Sequence, residues 1–388
     1  MIKTMTACTA ELDDEKTAVS QLQSQLGLNG GGAGKNTVGI VACHYEFVLS
    51  GIFAAVCEAF PFDIVGAIAS AQSVPGGAGS LLLTLTVIQS DDLEFDTVIT
   101  SPLTEGDPGG AVAGSYRSAC RENEKPGLIL VFAPFIVTNC GDEYVNVLTE
   151  ASGGVPCFGT LAVDDTLDFS NCFMLANGAH YQDKMAMILV YGEINPKFFI
   201  ANISEDRILE KNAVVTKSAG HLLMEVNGRP VIDYLDDLGL VQVSEEQYAM
   251  SSLPFLLDYN DGTPKVSKIF VMLTPEKYAL CAGAMPEGST LYMAMTDKDD
   301  VILTTDAAAD EIAGAAGKAS LLLAYSCIAR SMALGSEQFR EMETIAQKLG
   351  GGTAFMMANS GGEICPTQTS AGKAINRFHN NAFIACLI

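Results

Sequence analysis

The chain has 388 residues, 48% of them hydrophobic and 18% charged, which excludes a disordered chain and favours two domains over one core. Its 46 acids against 22 bases leave a formal net charge of −24. Phosphate binding needs clustered Lys and Arg, so this balance argues against nucleic acid and anionic membrane surfaces as partners, and the acidity reads as solubility. The 11 Cys are odd in number and form no CxxC pair. The N-terminus carries acids too early for a signal peptide, and no apolar run approaches the ~18 residues that would span a bilayer. A reducing cytoplasm with free thiols is the expected setting.

In chain order, residues 9–26 read as an amphipathic helix with Leu12, Val19, Leu22 and Leu26 inward, ended by Gly27. The loop at 29–36, "NGGGAGKN", fails as a phosphate loop. Asn29 and Asn36 occupy the positions that need Gly and Ser or Thr, and the loop precedes a strand. It reads as a linker. Then strand (38–47), helix (49–60) and strand (62–70) make a βαβ unit, which forces a parallel pair. A second unit follows at 127–137, 142–151 and 155–163.

Hairpin-like strands trail both units, at 81–90 with 95–100 and at 173–176 with 185–194, so the sheets should be mixed. The charged stretch 202–211, "NISEDRILEK", reads as a boundary, giving domains 1–205 and 206–388. Beyond it, Asn227-Gly228 signals a turn, Pro230 starts a helix and Gly239 ends it. Strands follow at 269–273, 278–283 and 290–296, with a lead-in helix at 304–319.

The third βαβ unit is the most informative stretch. Residues 320–326 form an apolar strand, Ser336 caps a helix running to Leu349, and 353–358 form the second strand. Strand 382–388 closes the chain. The expected fold is α/β: two domains built from βαβ units in mixed sheets flanked by helices, with added antiparallel hairpins. The polar residues Ser326, Cys327, Arg330, Asn359 and Glu363 follow the two strand ends, the edge where open α/β sheets bind ligands.

The segments "FDIVGAIASA", "AVVTKSAGHLLMEVNGRPVIDYL", "AGAMPEGSTLYMAM", "LLLAYSCIARSMALGSE", "GGEICP" and "RFHNNAF" together resemble the successive landmarks of FIST proteins. That family carries an N-terminal and a C-terminal FIST domain, and the resemblance runs from about Val38 to the end of the chain. It implies a sensory role: binding of a small ligand, amino acids having been proposed. No signalling module is fused on, so output would pass to a separate signalling protein. The family usually shows Thr where this chain has Ala382, after His379, Asn380 and Asn381. The missing hydroxyl bears on which ligand is taken.

Arg330 and Glu363 should face one crevice. A guanidinium grips a carboxylate with two parallel hydrogen bonds and a carboxylate holds an ammonium, so the pair matches the two ends of an amino acid. The plain alternative is an ion pair between them. Ser326, Cys327, Asn359, His379 and Asn380 complete the expected ligand-binding set. Cys327, beside Arg330 and near a helix start, supports an alternative thiol enzyme with His379 as base; a ligand-free scaffold is the other alternative. No catalytic assignment follows. His44, His180, His221 and His379 lie far apart, and Asp91-Asp92 and Asp164-Asp165 lack calcium-loop spacing, so no metal and no other cofactor is expected. His44 and Glu46 sit at the equivalent edge of the first unit.

Overall fold

One order of elements occurs three times along the chain: strand, helix, strand, helical connection, strand, hairpin, strand. The computed structural model describes residues 2–388 except 29–33, 35, 138, 167, 241–252, 318 and 370–371, and the side chains of 210 and 211. The linker reading of 29–36 thus falls largely outside the described residues.

The first unit comprises β1 (Ile2–Thr9), α1 (Glu15–Leu26), β2 (Thr37–Cys43), α2 (Glu46–Leu49), α3 (Ile52–Ala59), β3 (Ile64–Ile68), the hairpin β4 (Gln72–Val74) with β5 (Gly77–Gly79), and β6 (Leu83–Ser90). The second comprises β7 (Glu94–Ile99), α4 (Pro108–Ala119), β8 (Leu128–Ala133), α5 (Gly141–Ser152), β9 (Cys157–Leu161), the hairpin β10 (Met174–Ala176) with β11 (Ala179–Tyr181), and β12 (Ala186–Tyr191).

The third unit opens with β13 (Lys197–Ala201). A block of antiparallel structure then intervenes: β14 (Ile208–Ala219), β15 (Leu222–Val226), β16 (Arg229–Pro230), α6 (Val231–Asp237), β17 (Leu253–Asp258), β18 (Val266–Leu273), β19 (Ala279–Cys281) and β20 (Thr290–Ala294). The unit resumes with α7 (Lys298–Ala316), β21 (Leu321–Cys327), α8 (Ile328–Leu334), α9 (Arg340–Leu349), β22 (Ala354–Ser360), the hairpin β23 (Glu363–Gln368) with β24 (Ala374–His379), and β25 (Phe383–Leu387).

The three six-stranded sheets share one plan. Their orders are β1-β6-β2-β3-β10-β11, β7-β12-β8-β9-β23-β24 and β13-β25-β21-β22-β4-β5. In each, the central β2/β3, β8/β9 or β21/β22 pair is parallel. Antiparallel neighbours flank it, so the sheets are mixed. Each unit's hairpin leaves its own sheet. The first joins the third unit, the second joins the first, and the third joins the second. The exchange is cyclic and ties all three units together. The 208–294 block forms a seven-stranded antiparallel sheet with its own core, including Leu223, Phe255, Phe270 and Leu291.

The central strands read as unbroken apolar runs because both of their faces are covered. All six residues of β8, "LILVFA", and all seven of β21, "LLLAYSC", are buried. Asp14 caps α1 by accepting from the Lys16 N–H at 3.0 Å, and Gly27 closes it at φ 65°. The halves expected on either side of residue 205 share two of these sheets: β13 lies beside β25, β4 beside β22, and β9 beside β23.

Several local expectations change. β1 and α4 are additional elements. The stretch after β21 is the helix α8, and the stretch after β22 is a hairpin. Ser336 lies in a short 3-10 turn, so it does not cap α9, which follows Phe339. Pro230 caps α6 from outside the helix, and α7 begins six residues before the expected 304, capped by the Asp297 carboxylate accepting from the Asp300 N–H at 2.9 Å.

Candidate functional site

The ends of β21 and β22 lie side by side, with Ser326 opposite Asn359 and Cys327 opposite Ser360. Glu363 follows three residues later as the first residue of β23, and His379, the last of β24, is its direct cross-strand partner. Strand order and register therefore place Ser326, Cys327, Asn359, Glu363, His379 and Asn380 at one edge. Arg330 enters from the first turn of α8.

The expected opening is closed. Arg330, Glu363 and His379 expose none of their surface, and the other four expose 5% or less. Nor do Arg330 and Glu363 form the simple pair weighed as the plain alternative. The Arg330 guanidinium grips Glu341 of α9: Nε donates to Oε1 at 3.0 Å and Nη2 lies 2.9 Å from the same oxygen. Nη2 also donates to the Thr305 hydroxyl at 2.9 Å and the Thr304 hydroxyl at 3.1 Å. The Ser326 hydroxyl donates to Glu341 Oε2 at 2.5 Å. Glu341 escaped the sequence reading because an acid on an amphipathic helix ordinarily faces water; here it is 3% exposed.

What this network leaves over is informative. Arg330 Nη1, Glu363 Oε1, His379 Nδ1 and Asn380 Oδ1 are buried and have no hydrogen-bond partner among the described residues. Buried polar atoms are nearly always paired, and leaving one unpaired costs about 1–3 kcal/mol. Burial pushes the Glu363 carboxyl well above its usual range, against the pull of Ser360, Ala382, Cys327 and the Arg330 charge. The neutral acid is thereby favoured, and it can donate. Burial lowers the His379 ring to about 4, so the ring is neutral near pH 7. Its Nε2 sits 3.0 Å from the Cys365 carbonyl oxygen and must carry the proton, which leaves Nδ1 as an acceptor. The leftover atoms thus comprise two donors, Arg330 Nη1 and Glu363, and two acceptors, His379 Nδ1 and Asn380 Oδ1.

Cys327 departs from the sequence expectation. Burial pushes its thiol well up instead of lowering it, and the residue is 3% exposed. That is the state of an inert buried cysteine. Asn359 donates through Nδ2 to the Ser70 hydroxyl at 3.0 Å and so joins the third unit to the first. At the first unit, His44 Nδ1 accepts from the Glu46 N–H at 3.3 Å, and Nε2 lies 3.3 Å from Asp165.

A second buried polar group lies behind His379. Lys268 of β18 donates to Asp142 Oδ2 at 2.8 Å and to the Phe378 carbonyl at 2.7 Å. Burial lowers its pKa, but Asp142 and Tyr259 outweigh that and hold the ammonium charged. A lone Lys inside the apolar strand "VSKIFVML" was the available sequence signal. Among the described residues there is no group of three or more His, Cys, Asp or Glu placed to hold a metal ion. Nor is any helix among them long and apolar enough to cross a membrane.

The scaffold is mixed α/β, with a buried, incompletely satisfied polar edge at its last parallel pair. Residues 37–229 match the FIST N domain and residues 232–366 match the FIST C domain. The chain belongs to the FIST family, whose domains are associated with sensory and signal-transduction roles. No curated protein matches it. Among solved structures, it is similar to the cyanuric acid hydrolase from A. caulinodans at 12% identity, TM-score 0.37, covering 100% of this chain and 99% of the other. A second cyanuric acid hydrolase structure gives 10% identity and TM-score 0.37, covering 100% and 98%. T. maritima PurL complexed with FGAR gives 10% and 0.20, covering 100% and 72%. TM-scores this low carry no argument about activity.

Proposed function

We propose that this protein is a sensor that binds a small zwitterionic metabolite of the amino-acid type at the β22–β23 edge and signals through a separate protein. The observation that carries the reading is the set of leftover atoms. Arg330 Nη1 and the neutral Glu363 acid suit a carboxylate, while His379 Nδ1 and Asn380 Oδ1 suit an ammonium. Because the side chains are buried, the ligand enters by a transient opening between α8 and the β23–β24 hairpin. Closure around it would shift the population toward the bound form, which is what a sensor requires. Eleven free thiols fit a reducing, cytoplasmic setting. The division at residue 205 belongs to the same proposal: the second part supplies the binding edge and the first part supplies the sheets on which it closes.

The test is a thermal-shift screen over amino acids and small organic acids, followed by calorimetry. A ligand held at 100 times its Kd stabilises the native state by about 2.7 kcal/mol. Glu363→Gln keeps a donor at that position and should retain binding within about threefold; Asn380→Leu removes an acceptor and should weaken it about tenfold. A screen in which nothing raises the melting temperature, or an Asn380→Leu protein that binds as tightly as the parent, refutes the assignment.

A further inference from the structure

A second site lies elsewhere, beyond the carboxyl end of β8. There the chain leaves the parallel β8/β9 pair through Phe135 and Ile136, and the loop carrying Phe169 leaves β9. The antiparallel block covers both with Val271 of β18 and Leu280 of β19. Between them is a cavity of about 210 Å³. Phe135 and Phe169 form one aromatic wall, with ring centroids 5.3 Å apart at 51°. This is the crevice position of an open α/β sheet, at the end where strands give way to loops. It also lies at the joint between two separately packed cores.

The lining is apolar apart from a few groups. Of these, the His221 ring has no hydrogen-bond partner among the described residues. Burial lowers its pKa, so a neutral ring that can accept a hydrogen bond faces the space. Asp168 at the rim is already engaged with Thr166 and Ser170. Water gains little in such a space, since most of its walls are hydrocarbon and Asp168 is already engaged. The volume lies below the roughly 300–1,000 Å³ of drug-sized pockets, which limits an occupant to one or two rings.

We propose that this cavity binds a small aromatic compound of one or two rings bearing a single N–H or O–H group. The ring lies between Phe135, Phe169, Val271 and Leu280, and its donor is accepted by the His221 imidazole. This site is separate from the β22–β23 edge. Its ligand differs in class: flat and apolar where the other is small and doubly charged.

Indole is a suitable probe. The chain has no Trp, so indole emission excited beyond the tyrosine band has no protein background. Titrating the full-length protein into indole should give a saturable blue shift and a rise in anisotropy. Ala282→Phe fills the cavity from the half-buried bend just past β19 and should lower affinity more than tenfold, with the far-ultraviolet spectrum unchanged. Should that variant misfold, Val137→Arg places a charge at the lip, where Val137 is 57% exposed, and should cost about fivefold. His221→Leu should cost about fivefold through the lost hydrogen bond, while Glu363→Gln should leave indole binding unaltered. No saturable change with the parent protein, or equal binding by parent and Val137→Arg, overturns the site. A His221→Leu protein that binds indole as well as the parent overturns the assigned hydrogen bond. A failed amino-acid screen leaves these outcomes untouched.

Discussion

Removing Asp142 should cost the protein far more than removing Lys268, although each removes half of one ion pair. The reason is the unequal company the two charges keep. After Asp142→Ala, the Lys268 ammonium, fully buried, retains the Phe378 carbonyl at 2.7 Å and the face of the Phe378 ring at 5.1 Å, without its counter-ion. The Ala284 N–H, which donates to Asp142 Oδ2 at 2.7 Å, also loses its acceptor. Breaking a buried pair so that a charge is stranded costs about 3–5 kcal/mol. After Lys268→Met, by contrast, the carboxylate keeps the Ala284 N–H and the Tyr259 hydroxyl, the latter donating at 3.4 Å. It also sits in the first turn of α5, where the helix dipole favours an anion. The methionine fills most of the lysine's volume, and the loss should be about 1–2 kcal/mol. Urea unfolding followed by circular dichroism, at unchanged m-value, reads both as shifts in midpoint. Since Lys268 lies on the antiparallel block and Asp142 on the second unit, the difference measures how the block is clasped to the rest. Equal losses, or a larger loss for Lys268→Met, would refute the reasoning.

Three further outcomes follow from the same structure. The His379 ring is held at about 4 against 6.5 for an ordinary histidine, so between those pH values the unfolded chain binds a proton that the folded one does not. Stability is then full above pH 6.5 and is lost as pH falls toward 4, by about 3 kcal/mol in total; urea midpoints from pH 7 to 4.5 should fall less steeply in His379→Gln than in the parent. Gly66 and Gly159 occupy matching places in β3 and β9, where an added Cβ would overlap the carbonyl oxygen of Val41 and of Val131 respectively; Gly66→Ala or Gly159→Ala should yield insoluble protein, and a soluble variant with parental melting temperature would contradict the packing. Finally, residues 1–205 produced alone leave β13 without a strand partner and strip β4 and β9 of one neighbour each, β22 and β23, so that fragment should lack a cooperative melting transition unless produced together with 206–388; a monomeric fragment that melts cooperatively would show that the shared sheets are dispensable.

The three parallel pairs were legible because continuous apolar runs such as "LILVFA" and "LLLAYSC" have few alternatives to a strand covered on both faces. Gly27 marked a helix end for a local reason, the left-handed conformation that it adopts. The edge carrying Ser326, Cys327, Asn359 and Glu363 was legible for the same reason as the strands: it comprises the last residues of β21 and β22 and the start of β23. The hairpin β23–β24 was not, because "EICPTQ" and "AINRFH" are short and become strands by pairing with β9 and with each other. Nor was α8, whose seven residues take their place by packing on α7 and β21.

Sequence alone determined the repeated βαβ order, the acidic balance and the family, since each rests on residues close together in the chain or on their sum. Tertiary structure decided which charges meet. Arg330 finds Glu341 across one helical connection, and Lys268 finds Asp142 across 126 residues. Coulombic pairing depends on distance in space and on exclusion of water, and neither is written in sequence separation. The cyclic exchange of hairpins belongs to the same class: a strand's partner is settled by which open edge it reaches.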